Sequence, residues 1–129
     1  MTNDEIKQLI NDTAKATVQE LKAAGLLRDD SMTAYKKTEA LLRQYPTLRN
    51  ADTPYARQVV QEIEACLAEV ENEPYADVIR LYYFADVKNL ACSKILTCDE
   101  RTCRRIRKKL VQRFSVRLAS DEFIKDLLL

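Results

Sequence analysis

Nine basic side chains crowd into the stretch from Lys94 to Arg117: Lys94, Arg101, Arg104, Arg105, Arg107, Lys108, Lys109, Arg113 and Arg117. Only Asp99 and Glu100 oppose them there, so the stretch carries a net +7. Residues 1–93 hold eleven basic and fifteen acidic residues, net −4, and residues 118–129 are net −2. The total of +1 therefore hides a strong local charge. The chemistry such a cluster offers is the binding of a polyanion, not the breaking of a bond. Bond-breaking sets are lacking. With no His there is no Ser-His or Cys-His pair, and with one Gly there is no Gly-rich phosphate loop. Carboxylate pairs such as Asp29-Asp30 and Glu62/Glu64 are those that charged helix faces produce routinely. The chain does not read as an enzyme.

The four cysteines, Cys66, Cys92, Cys98 and Cys103, form no C-x-x-C pair. Each falls at an apolar position of a helical pattern, where a free thiol serves as a small hydrophobe. Neither a metal site nor a cofactor is expected, and disulfides are not expected in a reducing compartment. Met1 to Glu5 has no leader character, and the longest apolar run, Leu81 to Ala85, cannot span a bilayer. The expectation is a cytoplasmic protein with no membrane partner.

The elements that must position the cluster are helices. One Gly and three Pro are too few for the many corners of a β-protein. The first helix is expected from Asn3 to Ala24, with Gly25 as its stop. Its apolar stripe is Ile6, Leu9, Ile10, Thr13, Ala14, Val18 and Leu21. A second helix runs from Asp30 or Ser31 to Tyr45, before Pro46, with Ala34, Tyr35, Thr38, Leu41, Leu42 and Tyr45 inward. A third has Thr53 as N-cap and Pro54 in its first turn, and frays near Asn72. Pro74 marks the internal boundary: residues 1–72 form an N-terminal helical region and 74–129 a second domain. That domain opens with a helix from Pro74 to Phe84, apolar nearly all round and hence central. A short helix, Asn89 to Leu96, the basic helix, Asp99 to Leu118, and a last helix capped by Ser120 follow.

At 100° per residue, Cys103, Ile106, Leu110, Phe114 and Leu118 form one apolar arc of the basic helix. Arg101, Arg104, Arg105 and Lys108 lie opposite. Arg107 falls near the apolar edge, a place for structure rather than for a ligand. Ahead of the helix, Cys92, Ser93, Leu96, Cys98 and Cys103 have the spacing of a helix-turn-helix, with Ser93 small enough for close crossing.

Residues 74–118 resemble the helix-turn-helix of region four of sigma factors, through Val78-Ile-Arg-Leu-Tyr-Tyr-Phe84, Cys92 to Leu96 and Cys98 to Leu110. Residues 34–45, with Pro46 after them, resemble the segment ahead of that module in ArpU/RinA-like phage regulators. The resemblance implies an all-α fold, N-terminal helices followed by a sigma region-four-like helix-turn-helix bundle. It implies a phage or prophage transcriptional activator whose partner is double-stranded DNA, with RNA polymerase as a further candidate. By position it puts Arg101, Arg104 and Arg105 at base edges, Thr102 near the backbone, and Lys94, Lys108 and Lys109 on phosphates. Thr97 stands where such motifs usually have Gly. A β-branched residue is poor at positive φ, so a modified turn or a longer first helix is expected.

Two other readings stand beside this one: a phage DNA-packaging recognition subunit that assembles into rings, and a polymerase-binding module that reads no DNA. Tyr35, Lys36, Lys37 and Glu39 are either a partner surface or solvated charges over a core of Leu41, Leu42 and Tyr45. The stripe of the first helix either serves a homodimer or folds back on the domain.

Overall fold

The computed structural model describes residues 2–128, apart from the side chains at positions 13, 16, 19 and 23, so the stripe residue Thr13 lies outside the described side chains. Among the described residues every regular element is helical. The order is α1 (Asn3–Arg28), α2 (Ala34–Leu48), α3 (Pro54–Glu69), a π-helical turn (Arg80–Phe84), α4 (Asn89–Leu96), α5 (Glu100–Leu118) and α6 (Asp121–Leu128). No helix among them is long and apolar enough to cross a membrane.

Local signals set most helix starts. Thr2 and Glu5 form a reciprocal capping box on α1, with bonds of 3.1 and 3.2 Å. Thr53 accepts from the Ala56 N–H at 3.1 Å, with Pro54 in the first turn of α3. Asp99 accepts from the Thr102 N–H at 2.6 Å and opens α5.

Several boundaries differ from the sequence expectation, each for a tertiary reason. Gly25 is not a stop: α1 continues through it to Arg28. The extra turn buries Leu27 to 2 % exposure. Burying a leucine gains about 1.5–3 kcal/mol, more than the roughly 1 kcal/mol a mid-helix Gly costs. α2 starts at Ala34 rather than at Asp30 or Ser31. Asp29 Oδ1 instead accepts from the Ser31 N–H and hydroxyl, at 2.9 and 2.6 Å, and closes a turn. Thr33 then caps α2. Pro46 does not end α2, which runs on to Leu48. Pro46 lies in the last turn, where its missing N–H forfeits a single helix bond, and the extension buries Leu48 completely. Pro74 does not start a helix. Tyr75 has φ 62°, outside helical space, and regular helix begins only at Val78.

The core is one continuous cluster that unites the two expected regions. Leu41, Leu42 and Leu48 of α2 and Val59 and Ile63 of α3 share it with Val78, Ile79 and with Val111, Phe114 and Leu118 of α5. α5 packs on both α2 and α3. Its last turns are tied to α3 by Arg117, whose Nε donates to Glu62 at 2.7 Å and whose Nη1 donates to Glu69 at 2.5 Å. Arg113 pairs with Glu73.

The apolar segment 78–84 is central, as its composition requires, but it closes as a π turn. The Ala85 N–H donates to the Arg80 carbonyl five residues back, at 2.9 Å. Its three consecutive rings serve three different neighbours. Tyr82 lies under Arg107, its ring centroid 3.7 Å from the guanidinium carbon. Tyr83 donates to the buried carboxylate of Glu39 at 2.7 Å. Phe84 stacks on Tyr45 at 4.4 Å. Glu39 is thus an internal tie, also paired with Arg43 at 3.8 Å, and not an exposed partner residue.

Candidate nucleic-acid interface

α4 and α5 are joined by a tight left-handed turn. Thr97 has φ 59° and ψ 44°. Its N–H reaches the Lys94 carbonyl at 3.4 Å, and the Cys98 N–H reaches the Ser93 carbonyl at 3.0 Å. Those two bonds are the Schellman ending of a helix, whose left-handed residue is usually Gly. Neither a modified turn nor a longer first helix forms. α4 ends at Leu96 and Thr97 itself adopts the strained conformation, because the carbonyls of Ser93 and Lys94 need these donors.

The wedge between the two helices is small and apolar. Cys92 and Cys103 are fully buried, and Leu96, Cys98 and Ile106 pack at its margin. Ser93 is buried with its hydroxyl turned back to the Leu90 carbonyl at 2.6 Å. Burial pushes the Cys103 thiol up to about 11, with the neighbouring sulfurs of Cys98 and Cys92 adding to the effect. Cys92 and Cys103 serve as packing groups, and no three acidic, Cys or His residues among those described converge as a metal site.

Arg107 locks this wedge to the rest of the core. It is 7 % exposed. Its Nη1 donates to Asn89 Oδ1 at 2.9 Å, at the start of α4, while its guanidinium covers Tyr82. It is a structural cation, as its place on the wheel requires.

The remaining cations of α5 face outward. Arg101, Arg104, Arg105, Lys108 and Lys109 line one shallow concave surface together with Gln112. Arg101 and Arg105 also border a second hollow with Asp99 and Thr102. Arg101, Arg105, Lys108 and Lys109 have no ion pair among the described residues, whereas Arg104 is paired with Glu100 one turn back. That pair is half exposed, and its opening costs only about 0.2–0.5 kcal/mol. The Thr102 N–H is spent on capping, and its half-buried hydroxyl is also turned to the Asp99 carboxylate. The Thr102 N–H, and then its hydroxyl, hold the Asp99 carboxyl below its usual range, with Arg105 and Arg101 adding to this. Lys94 is exposed on α4 and lines neither hollow.

Two participants were not singled out from sequence. Gln112 extends the face by one turn beyond Lys108, and its spacing of seven from Arg105 could have marked it. Tyr75 could not be found that way. Its positive φ brings it, with Glu73 and Pro74, to the wall of a groove of about 530 Å³ whose other wall includes Arg105, Lys109 and Arg113. Comparison of the chain with family models, with curated proteins and with solved structures finds no match.

Proposed function

We propose that the protein is a sequence-specific DNA-binding transcriptional regulator of the phage or prophage activator type, with α5 entering the major groove. The observation that carries this reading is the division of labour along α5. Arg107, Arg113 and Arg117 are consumed by the core and by ion pairs. Arg101, Arg104, Arg105, Lys108 and Lys109 are gathered on the opposite, solvent side. A helix that merely needed solubility has no reason to collect five exposed cations, four of them without an ion pair among the described residues, beside a helix-turn-helix joint.

In this reading Arg101, Arg104 and Arg105, in the first two turns, meet base edges, and guanine is the natural partner of an arginine fork. Lys94, Thr102, Lys108 and Lys109 meet the backbone. Arg104→Ala and Arg105→Ala each cost about 1–3 kcal/mol on the selected site and relax its sequence preference. Lys108→Ala weakens all sequences alike and lowers the salt slope by about 1. The test is selection from a random DNA pool, then titration of the variants at several salt concentrations. Uniform losses on all DNA refute base reading. No retention at low salt refutes DNA binding and favours a polymerase-binding module, while a ring-sized mass favours a packaging subunit.

A further inference from the structure

α1 is held to the body at one end. Leu27 is buried, and Glu20 accepts from the Thr53 hydroxyl at 2.6 Å. Towards its N-terminus the helix leaves an apolar stripe uncovered, so the stripe does not fold back on the domain. Ile6 is 40 % exposed, Leu9 40 %, Ile10 64 %, Val18 51 % and Leu21 73 %. On the helical wheel Ile6, Ile10, Ala14, Val18 and Leu21 share an arc about 120° wide, with Leu9 beside it. Together the five large side chains expose roughly 500 Å², at the upper end of what a monomer normally shows.

We propose that this stripe pairs with the same stripe of a second copy, as an antiparallel two-fold helix pair centred on Ala14. Three features favour a second copy over an unrelated partner. The first is self-complementarity. Ile10 lies four residues before Ala14 and Val18 four after, and Ile6 and Leu21 stand at nearly equal distances outside them. A two-fold axis at Ala14 therefore sets Ile10 against the partner's Val18 and Ile6 against the partner's Leu21, as an isologous contact demands. The small, exposed Ala14 at the centre lets the backbones approach. The second feature is charge. Asp4 and Lys22 lie on the same flank of the stripe, and in antiparallel pairing Asp4 meets the partner's Lys22. The third is area. The stripes of two copies together expose roughly 1,000 Å² of apolar surface, the order of area that a small specific interface needs.

This inference does not rest on what α5 binds, and its test uses no DNA. Sedimentation equilibrium at micromolar concentration is expected to give twice the 14.9 kDa chain mass. Ile10→Glu and Val18→Glu are each expected to return the single-chain mass with an unchanged helical circular dichroism spectrum, since both positions face solvent in the single chain. In a Cys98→Ser background, the doubly substituted Ile10→Cys/Val18→Cys protein is expected to cross-link on oxidation, and Ile10→Cys alone is not. A single-chain mass for the parent protein overturns the proposal, as does a dimer that survives both glutamate substitutions or an assembly larger than two. Cross-linking of Ile10→Cys alone overturns the antiparallel register.

Discussion

Replacing Thr97 should make the protein more stable. A β-branched residue in the left-handed region costs on the order of 1–2 kcal/mol, because its Cβ crowds the following carbonyl. Thr97 has that conformation in full, with φ 59° and ψ 44°. Glycine there removes the cost but adds about 0.5–1 kcal/mol of chain entropy lost on folding. The net gain expected for Thr97→Gly is therefore about 0.5–1 kcal/mol. Thr97→Asn should gain a similar amount, since asparagine tolerates this region without the entropy of glycine. The backbone bonds to Ser93 and Lys94 are kept in both variants, so the angle between α4 and α5 should not move. The assay is urea unfolding followed by circular dichroism, with thermal melting as a second measure. For a chain of this size the gain corresponds to a melting temperature higher by roughly 2–5 °C. If Thr97→Gly and Thr97→Asn both melt at or below the parent temperature, the strain argument is refuted.

Three further outcomes are expected. Gly25→Ala should stabilise by about 0.5–1 kcal/mol in the same urea assay, because Gly25 is inside α1 and a Cβ there meets nothing within 4 Å. Arg107→Met should destabilise by about 1–3 kcal/mol: it loses the bond to Asn89 and the contact with Tyr82, and relief of a buried charge returns part of this. Arg107→Lys should not restore the loss, because a compact ammonium cannot both lie flat on the ring and reach Asn89. The Asp99 carboxyl is held below its ordinary value of 3.8, first by the Thr102 N–H, so its charged form favours the folded state. That contribution should be fully present above pH 3.8 and disappear as the pH falls through the lowered folded-state value. The stability difference between the parent and Asp99→Asn should shrink over that acid range, as read by urea unfolding at stepped pH.

How far the fold was legible depended on the range of the interaction that decides each feature. Thr53 and Asp99 each act on the N–H three residues away, so the starts of α3 and α5 could be read directly. The same holds for the basic face, because a wheel needs only the helix itself to separate Arg101, Arg104, Arg105 and Lys108 from Cys103, Leu110 and Phe114. It also placed Arg107 correctly, since a cation at an apolar edge has to be absorbed by structure. Gly25 and Pro46 misled, because both are local stop signals overruled by distant burial of Leu27 and Leu48. The π turn could not be anticipated, as its reason lies in Arg107, Glu39 and Tyr45, three partners scattered along the chain. Tyr75 was hidden for the same kind of reason: only the fold carries residues 73–75 to the side of α5.

The sharing of α5 between surface and core has a consequence for how the chain folds during synthesis. α2 and α3 leave the ribosome before α5, yet Leu41, Leu42, Val59 and Ile63 share one core with Val111, Phe114 and Leu118. Until those later residues emerge, the early helices have no complete surface against which to close. The contacts between them span roughly half the chain, a separation that slows the search for the native state. The nascent chain must therefore carry exposed leucine and valine side chains for most of its translation, and its window for chaperone capture closes only when the end of α5 arrives.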